Sequence, residues 1–236
     1  MCIARMSLLR WTIDASLLIQ WISLIFGTFA FLWGSPAGPL ASVLNIENGV
    51  QLIELIFYHW YRWVTIGSGG MFDIAWVRYL DWMVTTPLML ISTGLFFEWK
   101  KQPPLVKSDA FSLSGWINDH STQIISMVLS NGIMLLVGFL QEIHKLDIIT
   151  STLIGFLALG VSFWILYSFK EQPDPIKPNS KKAEWLYPFM YIVWSIYGFA
   201  AMLPPVWKNI CYNILDIFSK NFYGSYVSYL VFTQPA

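Results

Sequence analysis

The sequence predicts an all-α membrane protein, a seven-transmembrane-helix bundle with its N-terminus extracellular. Three observations predict it. Seven stretches are apolar over the roughly 20 residues that a helix needs to cross a bilayer. Only 12% of residues are charged, against about 25% in ordinary soluble domains. Thirteen Trp and eleven Tyr are available for two water–lipid interfaces. Lys and Arg balance Asp and Glu at 14 each, so there is no basic footprint for nucleic acid.

The first span, 11–34, follows the basic start MCIARMSLLRW, which lacks a small-residue cleavage site and reads as retained. The second, 48–67, ends at GSGG, and the third covers 72–97. Spans follow at 120–141 and 146–169. The sixth, 183–206, and the seventh, 207–232, meet at LPPVWK, where Pro204 and Pro205 break the helix. The two longer connections, EWKKQPPLVKSDAFSLSGWIND and KEQPDPIKPNSKK, are polar and proline-bearing. No internal repeat divides the chain, so 1–236 reads as one domain. Cys2 and Cys211 lie at opposite ends, the second in an apolar stretch, so no disulfide is expected.

Orientation follows from the lysines. The third–fourth and fifth–sixth connections hold Lys100, Lys101, Lys107, Lys170, Lys177, Lys181 and Lys182, against chiefly Lys145 and Lys208 in the opposite loops. The positive-inside rule then places the N-terminus outside and the C-terminus in the cytoplasm.

Most charges lie in loops or at helix ends; the exceptions deep in spans are Glu54, Arg78, Asp81, Asp216 and Lys220, with Glu47 near an end. Each costs about 2.5–3.5 kcal/mol at a helix centre, so such residues are paired and usually functional. Asp216 and Lys220 stand at i and i+4, while Arg78, Asp81 and Thr85 stand at i, i+3 and i+7. Facing each other, the two sets make a neutral cluster of two acids and two bases. One reading is a buried ion-pair network that fixes helix register. The other is chemical: a lysine amine condenses with an aldehyde to a Schiff base, and a protonated Schiff base needs nearby carboxylates.

The motifs RYLDWMVTTPLML (78–90), WSIY (194–197) and LDIFSK (215–220) decide between them. In this order, within seven spans, they resemble the third-, sixth- and seventh-helix signatures of microbial (type 1) rhodopsins. KNFYG after the lysine and the polar residues of the second span look most like the viral rhodopsins of giant algal viruses. The resemblance implies all-trans retinal bound to Lys220 as a Schiff base, with Asp81 and Asp216 as counterions. It also implies that Trp82 and Trp194 sandwich the polyene, that Thr85 hydrogen-bonds Asp81, and that Thr86, Met89 and Tyr197 line the pocket. Arg78 would close the outer side of the cluster. Gly198 and Ala201 stand where proline and tryptophan are usual in the family, which would enlarge the pocket. The product is a photoreceptor, with no enzymatic role and no metal.

One fold hosts several activities. An outward proton pump needs an acceptor, a donor and a release group. Asp81 can accept, but the donor position holds Ser92, and Lys208 and Asn209 occupy the place of a release carboxylate. The second span instead carries Glu47, Gln51 and Glu54 at i, i+4 and i+7, on one face. The seventh adds Asn209, Asn213, Asp216 and Lys220, with Asn221 beside the lysine. Oxygens strung along two stripes can replace a cation's hydration shell in steps; the alternative is interhelical hydrogen bonds worth about 0.6 kcal/mol each. The expectation is therefore a light-gated cation channel, an integral multi-pass protein passing monovalent cations or protons. An outward proton pump is second, and a sensor with a separate partner third. A homo-oligomer is compatible with all three. His59, among Tyr58, Trp60, Tyr61 and Trp63, reads as a member of the aromatic belt.

Overall fold

A computed structural model describes residues 2–67, 75–101, 111–170 and 185–233. The helices are α1 (Cys2–Trp33), α2 (Gly38–Gly67), α3 (Arg78–Lys101), α4 (Leu113–Asp119), α5 (Ser121–Glu142), α6 (Ile148–Lys170), α7 (Leu186–Ala200), α8 (Pro205–Asp216) and α9 (Tyr223–Thr233). Helix is what the sequence demands, because backbone polar groups inside a bilayer must be satisfied within their own segment. Five of these helices, α1, α2, α3, α5 and α6, are long and apolar enough to span. The shorter α7 supplies the sixth crossing. The seventh is α8 and α9 joined by a π-helical stretch, Ile217–Phe222. The chain is thus a seven-helix bundle and an integral, multi-pass membrane protein.

Most differences from the sequence expectation lie at boundaries. The first helix begins at Cys2 rather than 11, and the second at Gly38 rather than 48. The turn before α2 is made by two left-handed residues, Ser35 (φ 50°) and Gly38 (φ 58°). The sixth helix stops at Ala200, well before 206. Two tight turns follow, with the Met202 N–H bonded to Phe199 O and the Leu203 N–H to Ala200 O, before Pro205 opens α8 at a position where its missing N–H costs nothing. α4 was not expected; Ser112 caps it, its Oγ accepting from the Gly115 N–H at 3.2 Å. Asp147 caps α6, its Oδ1 accepting from the N–H groups of Ile149 and Thr150 at 3.0 and 2.9 Å. Most of GSGG and several of the lysines on which the expected orientation rests, Lys107, Lys177, Lys181 and Lys182, lie outside the described residues.

Polarity is inverted relative to a soluble bundle. Trp11, Leu18, Ile25, Leu157 and Trp164 are exposed, as lipid-facing residues must be. The fully buried set includes Arg78, Lys220 and Glu54. Small residues bring the backbones together. A Cβ on Gly27 would collide with the Asn48 amide, and one on Gly224 with the Gln51 amide.

Candidate functional site

Lys220 stands in the π-helical turn of the seventh helix and is 1% exposed. Its Nζ lies 2.5 Å from Asp81 Oδ2 on α3, 3.7 Å from Asp216 Oδ1 and 3.7 Å from Glu54 Oε1 on α2. Three carboxylates therefore surround the amine, and the expected balance of two acids and two bases is corrected to three and two. Periodicity placed Glu54 on a polar stripe of α2. Only packing of α2 against the seventh helix brings it to the lysine.

Asp216 is fixed from all sides. Its Oδ1 accepts from Tyr197 Oη at 2.6 Å, and its Oδ2 from Tyr58 Oη at 2.7 Å and Arg78 Nη1 at 3.3 Å. Arg78 also donates through Nε to Asn209 Oδ1 at 3.1 Å, through Nη1 to Tyr58 Oη at 3.1 Å, and through Nη2 to Asn213 Oδ1. The Tyr61 ring lies 4.5 Å from its guanidinium carbon, within cation–π range. Asn213 Nδ2 donates to Thr12 Oγ1 at 2.9 Å, tying in α1. Asn209 and Asn213 thus hold the arginine rather than forming a stripe of free amides. Tyr58 and Tyr61, which the sequence groups with interfacial aromatics, are fully buried members of this network. Their i, i+3 relation, with Glu54 four residues before Tyr58, was the available signal. His59 is exposed, its Nδ1 2.8 Å from the Leu55 carbonyl and its ring edge-on to Trp21.

On the other side of Lys220 runs a pocket between α3, α5, α6 and α7. Trp82, Thr86, Met89, Trp194, Tyr197 and Asp216 line it on the way to the amine. Trp82 is held edge-on by Tyr197 (5.4 Å, 86°) and Tyr212 (4.9 Å, 88°). Thr86 receives a hydrogen bond from Asn131 Nδ2 at 2.8 Å, a partner that sequence reasoning missed. Thr85 does not line the pocket. Its hydroxyl donates to the main-chain carbonyl of Asp81 at 2.9 Å and leaves the Asp81 carboxylate to Lys220. Nor does Gly198 simply add room, because the Phe156 ring packs within 2.7 Å of where its Cβ would be.

The remaining expected ion-pathway residues divide. Glu47 Oε1 accepts from Ser92 Oγ on α3, and Glu54 Oε2 accepts from Asn221 Nδ2 at 3.2 Å. Gln51 rests against Gly224 with no hydrogen bond at either amide atom. Gln20 on α1 is likewise buried with no hydrogen bond at either atom among the described residues, as are Glu47 Oε2, Asn48 Oδ1, Asn221 Oδ1, Tyr223 Oη and Glu54 Oε1, whose one contact is the Lys220 amine at 3.7 Å. Nine buried polar atoms on α1, α2 and the seventh helix therefore make no hydrogen bond among the described residues, and neither α1 nor α2 lines the pocket.

A buried lysine amine ringed by carboxylates thus stands at the head of an aromatic-walled pocket inside seven spanning helices. Residues 12–234 match the sequence profile of the family described as "Bacteriorhodopsin-like protein", and the chain belongs to that family; it is a microbial rhodopsin. Bacteriorhodopsin-I of Haloquadratum walsbyi is 35% identical over 80 residues, 33% of this chain and 28% of that protein. Bacteriorhodopsin of Halobacterium salinarum is 23% identical over 169 residues, 66% of this chain and 57% of that one. The matches thus span less than two thirds of either relative. Among solved structures, viral rhodopsin OLPVRII superposes with a TM-score of 0.78 at 22% identity, over 94% of this chain and 96% of that one. Halorhodopsin, described as a light-driven chloride pump, superposes with a TM-score of 0.62 at 14% identity, over 95% of each. At these identities the structures share the fold, and the kind of transport or sensing is not carried over.

The family implies a retinal chromophore. The residues present fit one: the pocket is mostly apolar, it ends on a primary amine, and carboxylates stand beside that amine to balance its charge.

Proposed function

We propose that this rhodopsin is a light-gated cation channel, with its N-terminus extracellular and retinal carried on Lys220. The observation that supports the channel reading is the column of orphan polar atoms on α1, α2 and the seventh helix, which touches the lysine through Glu54. Polar atoms inside a bilayer that find no protein partner need solvent or ions, since leaving each one bare costs several kcal/mol. The orientation rests on the lysine distribution.

Retinal bound at Lys220 Nζ supplies a light-driven change of shape and of charge position at that atom. The chain does the rest. Trp82 on α3 and Trp194 on α7, which both line the pocket, would hold the polyene. Asp81 Oδ2 holds the positive charge at Nζ, and Asp81 Oδ1, with no hydrogen bond of its own, is the atom placed to take a proton. Asp216 is already saturated by Tyr58, Tyr197 and Arg78, so it stays put. Glu54 Oε1 senses any loss of charge at Nζ from 3.7 Å, and through Oε2 it passes the disturbance to Asn221. Parting of Glu54 from Asn221 joins the orphan column to the Arg78 side, and monovalent cations or protons follow.

A second reading is favoured by one contact. Ser92, too weak an acid to store a proton, is hydrogen-bonded to the buried carboxylate of Glu47. Together they form a cytoplasmic donor for an outward proton pump. Patch-clamp recording separates the two. A photocurrent that reverses sign with voltage is the channel; one that stays outward at every voltage is the pump and overturns the first reading.

A further inference from the structure

The chromophore pocket has two chemically different ends. Lys220 closes one. At the other, Gln141 in the last turn of α5 meets Ser151 and Thr152 in the first turn of α6 and Ala201 just past α7, and all four line the pocket. Ser151 Oγ donates to Gln141 Oε1 at 2.7 Å, and Gln141 Nε2 donates to the Ala201 carbonyl at 3.2 Å. That leaves the second N–H of the Gln141 amide, and the Thr152 hydroxyl makes no hydrogen bond among the described residues. Gly155 keeps the wall open, since a Cβ there would meet nothing nearer than Val137 Cγ2 at 3.7 Å. Gln141 and Ala201 also line a second cavity, beside His144, Lys145, Asp147 and Lys208 at the end of the bundle. A polar group at this end of the pocket therefore stays close to an aqueous vestibule.

A hydrocarbon ring suits such a wall poorly. It would face an amide N–H and a hydroxyl with nothing to bond, and an unmade buried hydrogen bond costs more than a made one gains. We propose that this end of the pocket recognises oxygen on the ring of the chromophore, and that the protein takes a ring-hydroxylated retinal in preference to retinal itself. The inference rests on the retinal reading above. A ring hydroxyl accepts from Gln141 Nε2 and donates to Thr152 or Ser151. The aldehyde end is unchanged, so attachment at Lys220 is the same for either molecule.

The competing explanation is that Gln141, Ser151 and Ala201 only clamp α5, α6 and α7 together. Competition distinguishes them. The apoprotein is offered an equimolar mixture of all-trans retinal and all-trans 4-hydroxyretinal, and the bound chromophore is extracted and quantified by chromatography. One or two hydrogen bonds predict enrichment of the hydroxylated form by about fivefold. Thr152→Val breaks no observed contact and is expected to lower the enrichment; Gln141→Leu is expected to abolish it while pigment still forms with plain retinal. Equal uptake in the wild type, or enrichment unchanged in both variants, overturns the proposal. Pigment with neither aldehyde overturns the retinal reading itself, and this inference with it.

Discussion

The polar interior of the bundle has two halves of opposite character. Around Arg78 every strong group has a partner: Tyr58, Asn209, Asn213 and Asp216 take its N–H groups, and Thr12 completes the set. Around Gln51 the groups are just as buried, yet Gln20, Gln51, Asn48 and Tyr223 offer atoms that make no hydrogen bond among the described residues. Polarity alone therefore says little about passage through a membrane. A satisfied network is a plug, because solvent can enter it only by displacing bonds already made. An unsatisfied one invites solvent. Lys220 lies between the two and touches both, through Asp216 and through Glu54.

Severing that junction should have the largest effect. Lys220→Ala is expected to abolish the visible absorbance that retinal confers, since among the described residues no other lysine lines the pocket; a chromophore retained in the variant would show the attachment lies elsewhere. Opening the satisfied half comes next. Arg78→Gln removes the guanidinium from Asp216 Oδ2 and leaves Lys220, 3.7 Å from Oδ1, as its cation partner; breaking a buried pair in this way costs about 3–5 kcal/mol. A lowered unfolding midpoint in detergent and a dark leak in liposomes are the readouts, and an unchanged midpoint would mean the network is looser than its distances imply. Within the unsatisfied half, Glu47→Gln and Glu54→Gln should each cut the photocurrent. Only Glu54→Gln should also shift the absorption to the red, because Glu54 lies 3.7 Å from Lys220 whereas Glu47 is bonded to Ser92. Equal spectra for the two variants would remove Glu54 from the charge cluster.

The smaller effects test the margins. Ser16→Ala removes one interhelical hydrogen bond, Ser16 Oγ to the Asn213 carbonyl at 3.0 Å, and should cost about 0.6 kcal/mol by thermal unfolding. Outside the membrane, the N–H groups of Thr150 and Ile149 hold the Asp147 carboxyl below the usual carboxylate range. A depressed value means that its stabilisation is complete above the unfolded carboxyl's titration and is lost as pH falls through the folded one. Asp147→Asn should therefore unfold slightly earlier than wild type at neutral pH, and the gap should close on acidification. A gap independent of pH would assign the effect to cap geometry alone.

Seven crossings were legible in the sequence because each is a local property: apolar length sets a span, and proline or glycine ends it. Lys220, Asp81 and Asp216 were legible because charge inside a span is costly enough to stand out. Glu54 as a third carboxylate was not, because which neighbour a helix face meets depends on rotation about the helix axis, and periodicity leaves that angle open. Tyr58 failed for a related reason. An aromatic near a helix end suits the lipid interface and a buried hydrogen bond equally well, and only packing decides. The early stop of α7 at Ala200 was masked by the apolar residues that follow it, Met202 and Leu203, which extend the hydropathy past the backbone's turn.

The π-helical stretch Ile217–Phe222 gives the lysine an unusual foundation. A π turn spends one residue more than an α turn for the same advance. The ladder here is thus one residue out of step with the helix on either side, and Lys220 sits within the slack. Were the slack taken up, everything beyond would be re-indexed by one position, a screw motion of about 100° and about 1.5 Å. Tyr223 and Gly224 ride on that thread, the second pressed against the Gln51 amide. The seventh helix is therefore built less like a rod than like a bolt with one loose turn, and Lys220 is the point at which it would be tightened.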